Sequence, residues 1–157
     1  MQVNLQPTAN TERLIAQLGN ASSIVRNAKV LGLTQASLIF QTRSKQEAPV
    51  DTNNLRRNIL FKVESDGEEA RVYVNPAVKY GIFQEEGTGI YGPKHAYIVP
   101  RSAKYLAWRA KSGAMVFAKR VKGVMAKWFM KKGSEHLLTQ NKKIDETIYN
   151  ELVRGLS

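Results

Sequence analysis

Two runs of alternating apolar and polar residues, each broken by a glycine-containing turn, limit what this chain can fold into. In the first, Leu55, Ile59, Phe61 and Val63 fall on one face and Arg56, Asn58, Lys62 and Glu64 on the other. Ser65-Asp66-Gly67-Glu68 follows, and Ala70, Val72 and Val74 return with Arg71, Tyr73 and Asn75 opposite them. Alternation with period two marks a half-buried strand, and Asp-Gly between two such runs is a strong local hairpin signal. In the second run, Leu106, Trp108 and Ala110 take the inward register, Ser112-Gly113 makes the turn, and Met115, Phe117 and Val121 alternate on the return. Four strands therefore pair as two hairpins.

Helical spacing flanks the hairpins. Ile24, Ala28, Leu31, Leu38 and Ile39 recur over about 21–47, and Pro49 stops that helix because proline disfavours helical geometry at the residue before it. Residues 1–20 read as an arm with a short helix ending at Gly19. Near the C-terminus, Leu137, Ile144, Ile148 and Leu152 form one stripe, with Gly133 placed to kink or split the helix. The expected fold is α+β: an antiparallel sheet of about four strands packed against a long N-terminal helix and a C-terminal helix, as one domain over 21–157. Domains near this length remove roughly 70% of their unfolded surface from water, so 157 residues suffice for a core.

Charge is divided sharply along the chain. Between Gly87 and Gly133 lie eleven bases (Lys94, Arg101, Lys104, Arg109, Lys111, Lys119, Arg120, Lys122, Lys127, Lys131 and Lys132) and no acid. The other residues hold 13 bases and 13 acids, so the whole formal charge of +11 belongs to this block. Such a field suits a partner of opposite sign, either the phosphates of a nucleic acid or acidic protein surface. Acidic surface includes Glu68, Glu69, Glu85 and Glu86 on a neighbouring copy, with Arg109, Lys119 and Arg120 the expected cations because they fall on the hairpin strands. A charge run can also be no more than a solvated face.

Catalytic constellations are sparse. There is no Cys, which excludes disulfides and thiolate metal sites, and His95 and His136 lack metal-ligand spacing to one another or to a carboxylate. Gly87–Gly92, GTGIYG, lacks the Lys-Ser/Thr ending of a phosphate loop, and the adjacent Glu85 and Glu86 would diverge on a strand. No catalytic residue, metal or cofactor is expected. The longest uncharged stretch falls short of a membrane span, and MQVNLQPTANTERL lacks the regions of a secretory signal, so synthesis in the cytosol is expected.

Four segments in order resemble one family. EAPVDTNNLRRNI at Glu47–Ile59, YGIFQEEGTG at Tyr80–Gly89, YIVPRSAKYLAWR at Tyr97–Arg109, and MVFAKRVKG with MAKWFMKKG up to Gly133 are similar to signature segments of the neck, or tail-completion, proteins of long-tailed bacteriophages, the lambdoid minor tail component group. Asn53 stands where that pattern has Gly, Glu86 where it has Phe, and the Pro expected after Val121 is missing. The resemblance implies a non-enzymatic virion protein at the head–tail junction, made in the host bacterium. Its implied partners are further copies in a ring, the head connector or head-closure protein, and the tail terminator or tube protein. Contact with the backbone of the phage genome is a further expectation from the basic block. Pro49, Asp51, Thr52 and Leu55 read as a helix-to-strand corner in which Asp51 or Thr52 bonds the local backbone and Leu55 begins the strand. Gly87, Thr88 and Gly89 read as a tight loop that Glu85 can brace.

Overall fold

A computed structural model describes residues 9–156, with side chains from Gly19 onward. Helix α1 spans Ala9–Glu47 and is followed by the single turn α2, Asn54–Arg57, and then by strands β1, Ile59–Val63, and β2, Ala70–Val74. Helix α3, Gly81–Glu86, precedes strands β3, Leu106–Arg109, and β4, Met115–Ala118, and helices α4, Phe129–Leu138, and α5, Asn141–Leu156, complete the order. The architecture is α+β. The four strands form two separate two-stranded sheets, β1 with β2 and β3 with β4.

The chain groups into two compact units. One comprises the described residues up to Phe40, Phe61–Val72, and His136 onward; the other comprises Gln41–Leu60 and Tyr73–Glu135. The arm expected over 1–20 falls partly outside the described residues, and from Ala9 the chain is already helix. That helix runs through Gly19, where the short helix was expected to end, and on through Gly32. In the first unit the reason is visible at Gly32, where a Cβ would sit 2.6 Å from Ile148 Cγ1, and at Gly155, where it would sit 2.6 Å from Ile24 Cγ2. The α1 contacts step backward as the α5 contacts step forward, so the two helices pack antiparallel, with glycine permitting close approach. That packing offsets the roughly 1 kcal/mol a mid-helix glycine costs.

In the second unit, Arg56 was not singled out from the sequence, yet it closes the end of α1. Its Nε donates to the Ala48 carbonyl and its Nη2 to the Gln46 carbonyl, both at 3.1 Å, satisfying acceptors left over at a helix C-terminus. Asn53 takes the left-handed conformation, φ 59°, as its place in the corner requires. The corner is otherwise built differently from expectation. Neither Asp51 nor Thr52 bonds the local backbone, and Leu55, buried as predicted, belongs to α2 rather than to a strand. The helical turn forms because Asn58 donates twice to Asn54, from its backbone N–H to the carbonyl at 3.2 Å and from Nδ2 to the same oxygen at 2.8 Å. Gln41 Nε2 then donates to the Ile59 carbonyl at 2.9 Å, tying α1 to the start of β1.

The buried side chains of this unit include Ala48, Leu55, Ile59, Val78 and Phe129, together with Ser44. The Ser44 hydroxyl is fully buried and has no hydrogen-bond partner. A desolvated hydroxyl without a partner costs more than it returns, and alanine is the better helix former. Ser44→Ala is therefore expected to stabilise the protein by about 1 kcal/mol in urea denaturation; a loss of stability would mean that the hydroxyl is bonded.

Candidate functional site

Hairpin register decides which side chains the two hairpins turn to each face. In the first hairpin, Glu64 N–H donates to the Glu69 carbonyl and Asn75 N–H to the Asn58 carbonyl. That pairing puts Ile59, Phe61 and Val63 on the same face as Ala70, Val72 and Val74, as their alternation predicts. The second hairpin departs from prediction. Its loop is Lys111-Ser112-Gly113, three residues closed by Ala110 N–H to the Ala114 carbonyl at 2.8 Å, with Gly113 at φ 86°. A three-residue loop with a left-handed last residue shifts the pairing by one position relative to a two-residue Ser-Gly turn, and a one-residue slip sends side chains to the opposite face.

The observed pairs are Leu106 with Ala118, Ala107 with Phe117, Trp108 with Val116, and Arg109 with Met115. Leu106, Trp108, Val116 and Ala118 therefore share one face, and Ala107, Arg109, Met115 and Phe117 share the other. Phe117 is 65% exposed and Met115 51% exposed. The expectation that they point inward is corrected, and Trp108, expected in the core, is 42% exposed as well. Arg109 belongs to β3, whereas Lys119 and Arg120 lie beyond the end of β4, before the isolated bridge between Ile98 and Val121. All three are exposed, and Arg120 lies over the Tyr97 ring, 4.5 Å from its centroid.

Beside the hairpin, Gly87-Thr88-Gly89 docks against the segment after β4. Thr88 N–H donates to the Val124 carbonyl at 2.8 Å, Ile90 N–H to the Lys122 carbonyl at 2.9 Å, and Val124 N–H to Thr88 Oγ1 at 2.9 Å. The backbones approach so closely that a Cβ at Gly89 would run into the Lys122 carbonyl and one at Gly123 into the Thr88 carbonyl, and both glycines have positive φ. Only glycine fits such a crossing. Immediately upstream, Glu85 accepts from the N–H groups of Met130 at 2.9 Å and Lys131 at 3.0 Å, capping the first turn of α4, where free donors and the helix dipole favour a carboxylate. The glycine loop and the Lys122–Met130 segment are thus one assembly, which no local pattern in either could reveal.

The predicted acids divide by engagement. Glu68 pairs with Lys29 at 2.7 Å, Glu69 accepts from two nitrogens of Arg71, and Glu85 is committed to α4. Hydrogen bonding to Arg71 holds the Glu69 carboxyl below its ordinary pKa. Glu47 is likewise held low, chiefly by the hydrogen bond from Lys132 and also by nearby Arg43, against some opposing desolvation. Asp51 reaches across the unit to Lys111, Oδ1 to Nζ 2.9 Å. Glu86 is exposed and has no ionic partner among the described residues. It lines a groove of about 540 Å³ together with Ile82, Phe83, Tyr97, Val99 and Arg101. No cluster of three or more His, Asp or Glu suited to a metal occurs among the described residues, and no described helix is long and apolar enough to cross a membrane.

Residues 12–87, just under half of the chain, match the family model HK97-gp10_like, described as "Bacteriophage HK97-gp10, putative tail-component", so over that stretch the chain is similar to a phage tail component. No curated protein and no solved structure matches the chain.

The glycine crossing generates a prediction. Gly123→Ala should cost roughly 2–4 kcal/mol, from a strained positive φ together with overlap of the Thr88 carbonyl. Gly113→Ala, where a Cβ would meet nothing within 4 Å, should cost only about 1–2 kcal/mol from its φ. Equal losses in urea melts would show that the crossing is not tight.

Proposed function

We propose that this protein is a non-enzymatic structural component of the phage head–tail junction, several copies of which form a ring between the head connector and the tail. The family-model match over residues 12–87 supports the phage assignment. The observation that carries the multi-copy reading is the Ala107, Arg109, Met115 and Phe117 face, an apolar surface with a cation, presented on a sheet of two strands. Large side chains left in water on a small sheet favour burial against a partner.

Helix α3 supplies a complementary surface on the same chain. Ile82 and Phe83 are each more than half exposed, and Glu86 follows within one helical turn. An apolar-basic face and an apolar-acidic face on one molecule are different patches, so their association between copies is heterologous and closes into a ring where the rotation allows. Glu86 takes the role first spread over four acids, because Glu68, Glu69 and Glu85 are occupied within their own chain. In this reading the protein resides in the virion and meets the head-closure protein on one side and the tail terminator or tube protein on the other.

The double variant Met115→Ser, Phe117→Ser removes only exposed side chains, so its thermal midpoint should stay close to that of the parent. In a phage lacking the wild-type gene it should yield separate filled heads and tails in negatively stained lysates. Normally joined particles would refute the assignment of this face.

A further inference from the structure

The basic block holds more positive charge than copies of this chain can neutralise. Of its eleven bases, Lys111, Lys131 and Lys132 have carboxylate partners: Asp51, Glu135 and Glu47. That leaves Lys94, Arg101, Lys104, Arg109, Lys119, Arg120, Lys122 and Lys127, all exposed. On the other side of the ledger, among the described residues only Glu86 and Asp145 present a carboxylate with neither a cation nor an N–H against it. Contact between copies through Arg109 and Glu86 would still leave most of the eight unmatched.

The unmatched cations are not confined to flexible tips. Lys94 and Arg101 line the groove beside Thr88 and Gly89, where Tyr97, with the Arg120 guanidinium over its ring, also stands. Lys122 lines a second groove with Trp108, and the two grooves share Thr88 and Ile98. Lys94, Arg101, Arg120 and Lys122 therefore gather around the glycine crossing, and the exposed aromatic rings of Tyr97 and Trp108 line the same two grooves.

We infer that this surface binds the sugar–phosphate backbone of nucleic acid. A duplex presents a phosphate charge about every 1.7 Å of its axis, a density that suits cations uninterrupted by acids, and exposed aromatic faces beside a basic groove are the usual platforms for unpaired bases. Glu86 lies in the first groove on α3; the cations there come from the Pro93–Arg101 segment, so backbone contact is assigned to that segment and to Lys122. The inference concerns a different partner from the ring contact and does not depend on it.

The test is a salt titration of the full chain with a fluorescein-labelled random-sequence duplex, alongside poly-L-glutamate as a polyanionic protein surrogate. If about four to six phosphates are neutralised, affinity falls roughly 10²- to 10³-fold between about 50 mM and about 200 mM salt. The triple variant Lys94→Gln, Arg101→Gln, Lys122→Gln should flatten the log–log slope by roughly 2 to 3. A charge-matched control, Arg26→Gln, Lys79→Gln, Lys143→Gln, should leave the slope near that of the parent. The inference is overturned by absence of duplex binding at low salt, by equal losses in the two variants, or by poly-L-glutamate binding as tightly as the duplex. Any of these results can occur with normal head–tail joining, so failure here is separable from failure of the assembly reading.

Discussion

The second unit depends on one close crossing of backbones. Gly89 and Gly123 let the Thr88 and Lys122 carbonyls pass where any side chain would collide, and three hydrogen bonds between the two segments close around that point. From this crossing the chain leads back into α3, whose Glu85 caps α4, and forward through Lys127, whose N–H donates to the Gln84 carbonyl at 2.8 Å. A stretch without regular secondary structure is thereby fixed by long-range bonds. Its backbone polar groups find partners in the partner segment, as those of a sheet would.

That arrangement explains which parts of the structure could be read in the sequence. Alternation over 59–74 gave the first hairpin with its faces correct, because the four-residue loop around Asp66-Gly67 keeps the same pairing as a two-residue turn centred there. The same alternation failed over 106–118. Ser112-Gly113 looks like a two-residue turn, yet the chain adds Lys111 to the loop, and period two converts that single residue into an exchange of faces. Leu55 shows a related limit: burial was legible from its apolar character, but the Asn54–Asn58 bonds that wind it into a helical turn were not. A break was expected at Gly19 because propensity is local, yet α1 runs on through it, and at Gly32 the Ile148 side chain fills the space a Cβ would take.

The acids illustrate the difference between finding charged residues and finding available ones. Four carboxylates were candidate contacts by composition, and three are engaged within the chain: Glu68 by Lys29, Glu69 by Arg71, and Glu85 by the first turn of α4. Arg56 and Lys132, by contrast, read in sequence only as a strand's polar face and a member of the basic block, although both engage the end of α1, Arg56 through two carbonyls and Lys132 through Glu47. Each acts on groups distant in the chain, so spacing gives no warning of it. The cationic block itself was evident from residue counts alone. What the structure adds is that most of its members lack a carboxylate and that four of them surround the crossing.

Everything proposed for this surface requires the crossing to be a fixed framework, and native-state hydrogen exchange measures that directly. The amides of Thr88, Ile90 and Val124 should exchange at least as slowly as those of Ile98 and Val121 in the neighbouring bridge, with protection reaching that of the second unit as a whole. Exchange of these three amides at the rate of a free peptide, while α1 remained protected, would contradict the account.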